Sequence, residues 1–187
     1  MKIVEKGLII PRKRKLQLVK ADVWHLDKNG KLLWEAKGIT NIWHDQGEMA
    51  LLSAYFATAM TDYGAPPANL YLGLDARGAL AEADALTDLS GEEVGNGYAR
   101  EALSTAGTGL AGQDFYINQP AAYYRADSKT VTFTCATLAW TAMLNMFLCT
   151  VSTGTAGKLL CSLALTASRT LQIGDSLNAS MQIGLSE

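Results

Sequence analysis

Histidine is scarce in this 187-residue chain, which holds only His25 and His44. No Cys-x-x-Cys or His-x-x-x-His spacing is present to bring metal ligands together. His44 stands beside a predicted helix start, which favours a capping or surface residue over a ligand. We therefore expect neither a metal site nor a cofactor.

Cysteine is scarce as well. Cys135, Cys149 and Cys161 are odd in number, widely spaced and set in apolar runs. This pattern predicts buried free thiols and not a disulfide framework, which indicates a reducing compartment.

Long hydrophobic runs are also missing. No stretch reaches the roughly eighteen apolar residues of a membrane-spanning helix, and the first residues do not lead into the apolar core of an export signal. We expect no membrane association. With 49% hydrophobic residues in 20.0 kDa, the chain has enough apolar material for one good core.

Charge is distributed unevenly behind a net charge of −2. Residues 1–37 carry ten of the 16 Lys and Arg but four of the 18 Asp and Glu. Within this stretch an apolar segment at 3–10 precedes four adjacent cations at 12–15. We predict an extended basic arm at 1–15 that binds a partner protein, because no aromatic residues alternate with the cations as nucleic-acid binding would favour.

A single stretch has helical period. Apolar residues from Met49 to Tyr63 recur at i, i+3 and i+4, Asp45 and Glu48 fit a capping box, and we predict one amphipathic helix at about 45–62. The stripe is expected to cover a sheet, because the rest of the chain has the pattern of strands and loops.

The remaining pattern is that of β-structure with turns. An Asn29-Gly30 turn predicts a hairpin. The predicted strands are 16–26, 32–35, 39–43, 69–74, 98–103, 130–135, 144–151, 158–165 and 177–185. This succession is typical of an antiparallel sandwich, and we predict a mainly β, jelly-roll-like β-sandwich as a single domain at 16–187.

Several catalytic-looking strings are better explained as turns. Gly107–Gly112 has the letters of a dinucleotide fingerprint but not its strand and helix. Gly174–Leu177 has the letters of a serine-esterase block but no histidine after it. Gly154–Lys158 lacks the first glycine and the final Ser or Thr of a P-loop. Glu92 and Glu93 fall in a loop at 75–97 that we predict to be flexible, so nothing would separate their pKa values for acid–base catalysis. We predict that the protein is not an enzyme.

Three short motifs resemble a group of tailed-bacteriophage virion proteins. They are the N-x5-G-x3-L-L segment of Asn41–Leu52, the Leu70-Tyr71-Leu72-Gly73-Leu74 strand, and the Gly97-Tyr98-Ala99-Arg100 element. The resemblance extends over most of residues 32–183. It implies a capsid decoration (cement) protein at the capsid surface of the virion, made in the host bacterial cytoplasm. Its partners would be the major capsid protein and copies of itself, as a dimer or trimer.

Two alternatives remain open. A tail, baseplate or fibre-attachment protein would also be β-rich and without catalysis. A carbohydrate-binding module would use the same fold with Trp24, Trp34, Trp43 and Trp140 as a sugar platform, although tryptophans in β proteins more often lie in cores and interfaces.

The candidate partner interface combines the arm with the acidic loop. In the arm, the apolar residues are predicted to add an edge strand to a neighbour while the cations meet acidic groups there. The residues are Ile3, Val4, Leu8, Ile9, Ile10, Arg12, Lys13, Arg14, Lys15, Glu92 and Glu93.

Overall fold

The computed structural model describes residues 19–40, 42–56, 67–119 and 124–184. The predicted arm at 1–15 lies outside these ranges. So does the second part of the predicted helix, from residue 57 onwards.

The described residues form one α-helix, a short 3-10 turn and eleven strands. The helix is α1 (Asp45–Phe56) and the 3-10 turn spans Leu86–Asp88. The strands are β1 (Val19–Leu26), β2 (Leu32–Thr40), β3 (Ile42–Trp43), β4 (Asn69–Asp75), β5 (Glu101–Ser104), β6 (Phe115–Asn118), β7 (Arg125–Ser128), β8 (Val131–Thr134), β9 (Met143–Cys149), β10 (Leu159–Arg169) and β11 (Ser176–Gly184).

The strands pair into two antiparallel sheets, which confirms the predicted β-sandwich. Sheet one has the order β2-β1-β11-β7-β6, and β8 pairs with the first half of β11. Sheet two has the order β3-β10-β9-β4-β5. The first strands therefore pair with the last ones in both sheets, β1 with β11 and β3 with β10, which gives the sandwich its jelly-roll-like connectivity.

The core lies between the sheets and follows the period-two pattern of the strands. Side chains at alternate positions point inward, whereas their neighbours point outward. The inward residues include Ala21, Val23, Leu72, Leu74, Met146, Leu148, Leu163, Leu177, Ala179 and Met181. Cys135, Cys149 and Cys161 are free and buried, as predicted.

A second apolar layer covers the outer face of sheet two. Leu80 and Leu86 come from the loop that follows β4, and they pack on Phe147, Cys149 and Leu159. The long loop therefore packs on its own sheet. The 3-10 turn at Leu86–Asp88 lies within this loop.

Each predicted strand has a counterpart, but two strands were not predicted. Strands β6 and β7 have four residues each, and β7 contains Arg125 and a buried Asp127. Four residues are too few for a clear period-two signal, and β7 is also polar. Gly154, at φ 68°, lies in the turn between β9 and β10, and Gly174, at φ 86°, lies in the turn before β11, which begins at Ser176.

Helix α1 begins differently from the prediction. The backbone carbonyl of His44 accepts from the amides of Gly47 and Glu48 at 2.8 and 3.0 Å, so His44 and not Asp45 is the N-cap residue. Met49, expected on the buried stripe, is 41% exposed. Gly47 instead faces strand β10, where a Cβ atom would collide with the backbone carbonyl of Leu160.

Candidate assembly surfaces

Arg100 ties three segments together next to sheet two. Its Nε and Nη2 donate to the two carboxylate oxygens of Glu92 at 2.7 and 2.6 Å. Nη1 donates to the carbonyl of Val151 at 2.9 Å and Nη2 to that of Gly154 at 3.0 Å. The guanidinium also lies 5.2 Å from the ring centre of Phe147. The guanidinium is almost fully buried, and each of its nitrogens donates to an acceptor. Arg100 therefore acts as a structural clamp.

Tyr98 completes this clamp from the same motif. Its hydroxyl donates to Glu92 at 2.9 Å and accepts from the backbone amide of Leu74 at 2.9 Å. Burial, reinforced by the charge of Glu92, raises the pKa of Tyr98 far above its ordinary value. The hydroxyl is therefore a permanent donor that holds the carboxylate against β4.

The acidic loop at 75–97 is thus held in place, and the prediction that it is flexible was wrong. Glu92 is bound by Arg100 and Tyr98. Glu93 accepts from Asn96 Nδ2 at 3.1 Å and from Thr141 Oγ1 at 3.3 Å. These contacts fix the glutamates inside the molecule, and their predicted contact with a partner stays a prediction.

Asn96 joins the end of this loop to the loop between β8 and β9. Its carbonyl accepts from the amide of Ala136 at 2.8 Å and from Trp140 Nε1 at 3.1 Å. Its side-chain oxygen accepts from Thr137 Oγ1 at 3.1 Å. Asn96 has φ 55°, between Gly95 and Gly97 at φ 79° and 86°. Three successive left-handed residues explain why this turn needs Gly-Asn-Gly.

The loop before β11 is bound to the same region by backbone hydrogen bonds. The amide of Cys135 donates to Asp175 at 3.0 Å, and the amide of Gly174 donates back to Cys135 at 2.8 Å. The amide of Trp140 donates to Leu171 at 3.0 Å. Residues 93–97, 135–141 and 171–175 therefore form one cross-linked surface, called here the loop end.

His25 anchors the loop end to β1. Its Nε2 lies 3.1 Å from Asp175 Oδ2, and both side chains are buried. The same carboxylate accepts from the amide of Gln172 at 3.0 Å. No pattern of spacing or composition indicates this pair, which joins residues 150 positions apart.

Each of the three segments of the loop end presents one exposed apolar side chain. Val94 is 87% exposed, Leu138 64% and Ile173 55%. Large apolar side chains on a preorganised base are typical of protein-binding surfaces. The loop end is thus a candidate contact surface.

A second apolar surface lies at the edge of the sandwich formed by β2, β3 and α1. We call the five exposed apolar side chains there the apolar edge. They are Leu32, Leu33, Ile42, Met49 and Leu51. Strand β2 packs against β10, so the β2 side of sheet one and the β3 side of sheet two belong to the same edge.

His44 is neither a surface residue nor part of a ligand cluster. It is fully buried, its Nε2 lies 2.8 Å from Ser162 Oγ, and its Nδ1 lies 3.2 Å from the carbonyl of Glu82. Burial lowers the pKa of this imidazole below 6.5. A neutral His44 therefore joins the helix start to β10 and to the long loop.

The four tryptophans do not form one platform. Trp140 is buried in the core and Trp43 is half-buried. Trp34 packs on the core with the guanidinium of Arg169 4.6 Å from its ring centre. Trp24 stands at an outward position of β1, opposite Asn178. The sugar platform considered from the sequence therefore does not exist as a unit.

Among the described residues, no group of three or more His, Cys, Asp or Glu side chains is arranged to hold a metal ion. No described helix has the length and apolar character needed to cross a membrane.

A protein-family comparison identifies the family of the chain. Residues 43–184 match the family model described as "Podophage GP4 fiber I protein gp80". The chain belongs to this family. The match covers α1, the loop end and both sheets except β1, β2 and the first residue of β3. No curated protein and no solved structure matches the chain significantly.

The family makes this protein a structural component of a tailed-phage virion, as the resemblance implied. The motif residues on which the resemblance is based make packing contacts and hydrogen bonds within the fold. Gly47 seats α1 on β10, and Gly73 makes room for the ring of Phe147. Tyr98 and Arg100 hold Glu92. These residues therefore hold α1 on β10, make room for Phe147 and fix the position of Glu92.

Proposed function

We propose that the protein is a fibre component of the virion and acts by binding other virion proteins. The observation that carries this proposal is the match of residues 43–184 to a podophage fibre protein family. The capsid-surface role expected from the sequence lacks such support, and the fibre alternative replaces it as the main proposal.

The two exposed apolar surfaces support a binding role. Solvent-exposed apolar side chains are found at the loop end and along the apolar edge, outside the packed core. Clusters of this kind mark contact surfaces in proteins that assemble. We propose that the partners are copies of the chain and neighbouring virion proteins, and that the protein performs no catalysis.

The location in the particle tests this proposal. A version carrying a C-terminal epitope tag would be expressed during infection, and purified virions would be labelled with gold-conjugated antibody. We expect label at the tail or the neck, where fibres attach, and a small copy number by quantitative mass spectrometry. Label spread over the capsid with a large copy number would overturn the fibre role in favour of decoration. An untagged virion preparation serves as the background control.

A further inference from the structure

Strand β2 is a nine-residue strand with a partner on one side. It pairs with β1, and among the described residues no strand pairs with its other edge. Leu32 and Leu33 are both half exposed at its beginning. Natural proteins protect such edges, because unpaired amides and carbonyls readily accept another strand.

The opposite side of the sandwich is closed by its own chain. The amide of Ile117 on edge strand β6 donates to the carbonyl of Gly109 at 2.7 Å. The amide of Ser104 on edge strand β5 donates to Asp114 Oδ2 at 2.8 Å. The two edges therefore differ, and β2 is the one available for strand addition.

Acidic groups lie beside the apolar edge. Asp45 and Glu48 are in the first turn of α1, and the amide of Asp45 donates to the carbonyl of Glu82 at 3.1 Å. Among the described residues, no salt bridge is formed by the carboxylates of Asp45, Glu48 and Glu82. An apolar surface and an acidic surface thus adjoin each other near the end of β2.

In the arm, an apolar segment is followed by cations, just as the apolar edge is followed by acidic groups. Residues 3–10 contain five aliphatic side chains, and residues 12–15 are Arg-Lys-Arg-Lys. An arm running parallel to β2 would place its cations at Asp45, Glu48 and Glu82. An antiparallel arm would place them near Lys28 and Lys31, at the other end of β2. Charge complementarity therefore selects the parallel direction.

The topology favours an arm from another copy. Strand β1 begins beside the end of β2, where Lys20 pairs with Thr40. To reach the free edge of β2, the arm of the same copy would have to cross the connection from β2 to β3 that leaves this end. Connections at one edge of a sheet do not cross each other.

We propose that residues 3–10 of a second copy add as a parallel strand to the free edge of β2, with residues 12–15 bound by Asp45, Glu48 and Glu82. The inference rests on the proposed function only in that a fibre brings copies into contact. Strand addition supplies main-chain hydrogen bonds, and the charges set direction and association rate. The site explains the exposed side chains of the apolar edge.

Two complementary full-length variants test the proposal. In the acceptor variant Asp45→Lys, Glu48→Lys and Glu82→Lys are combined. In the arm variant Arg12→Glu, Lys13→Glu, Arg14→Glu and Lys15→Glu are combined. Self-association is measured by sedimentation velocity over a range of concentrations, and circular dichroism checks that each variant folds.

We expect each variant alone to associate at least about tenfold more weakly than the unaltered chain, because like charges meet at the site. Mixing the two restores association, since the basic arm of one meets the acidic acceptor of the other, and the acidic arm meets the basic acceptor. If the arm bound its own copy, mixing would change nothing, and this outcome would overturn the proposal. Unchanged self-association after deletion of residues 1–15 would also overturn it.

A matched pair tests the apolar part. Leu33→Glu lies on the apolar edge, whereas Leu110→Glu places the same charge on an exposed leucine in the loop that closes the opposite side. We expect Leu33→Glu to weaken association about tenfold or more and Leu110→Glu to leave it unchanged. Equal effects of the two would exclude β2 as the acceptor. These assays use purified protein, so their failure would leave the location of the protein in the virion untouched.

Discussion

The loop at 75–97 and strand β2 have structures opposite to what their sequences suggest. The loop is acidic and rich in glycine, yet its side chains reach buried partners and cover sheet two. Strand β2 is nine residues long and partly apolar, yet it leaves Leu32 and Leu33 exposed. Local composition therefore does not decide which part of a β-sandwich is fixed internally and which part is open to a partner.

Removal of the Arg100 clamp should cause the largest loss of stability, because this contact fixes the loop at 75–97. In Arg100→Ala, Glu92 loses its partner and the carbonyls of Val151 and Gly154 lose a donor. We expect a loss of about 3–5 kcal/mol in the free energy of unfolding, measured with urea, because breaking a buried ion pair leaves a charge unpaired. Lys37→Ala, which removes an exposed pair with Glu35 on β2, is the control and should leave the unfolding midpoint unchanged. Equal stability of Arg100→Ala and the unaltered protein would refute the clamp.

The seat of α1 should show a smaller effect. By helix propensity alone Gly47→Ala should stabilise the protein by about 1 kcal/mol. We expect instead a loss of about 1–3 kcal/mol, because the new methyl group meets the carbonyl of Leu160. Gly78→Ala, where a Cβ meets open space, is the matched control. A gain in melting temperature for Gly47→Ala would mean that the helix does not sit on β10 at this residue.

Acid should weaken the connection between the helix, β10 and the long loop. Burial lowers the pKa of His44 in the folded state below its value of 6.5 in the unfolded state. Between these two pKa values the unfolded state binds more protons than the folded state. The stability that neutral His44 contributes is therefore complete above pH 6.5 and is lost as the pH falls toward the lowered pKa. We expect His44→Gln to be less stable at pH 8 and to lose less stability between pH 7 and pH 5. Parallel pH profiles of the two proteins would show that His44 does not titrate in this way.

Changes at the loop end should have the smallest effect on stability. Val94→Ser, Leu138→Ser and Ile173→Ser replace exposed side chains and should each alter the free energy of unfolding by less than about 0.5 kcal/mol. We expect the triple variant to fold normally but to be depleted from purified virions, as measured by quantitative mass spectrometry. Normal incorporation would remove the loop end from the candidate contact surfaces and leave the apolar edge.

Sequence alone determined the class of the fold. Alternation of apolar residues in β1 and β11 indicated which side chains face the core, because a strand has period two. The odd number of cysteines and their apolar surroundings identified them as buried thiols. Short motifs of the kind Gly-Tyr-x-Arg indicated a phage virion protein, although they did not show what Tyr98 and Arg100 contact.

Only the tertiary structure decided which polar groups are partners. His25 meets Asp175, His44 meets Ser162, and Arg100 meets the carbonyl of Gly154, all across many intervening residues. Such pairs leave no periodic signal, because they depend on how the loops are brought together and not on the local backbone. The exposed edge of β2 is of the same kind: whether a strand lies at an edge is settled by its neighbours in the sheet, and its own residues do not encode them.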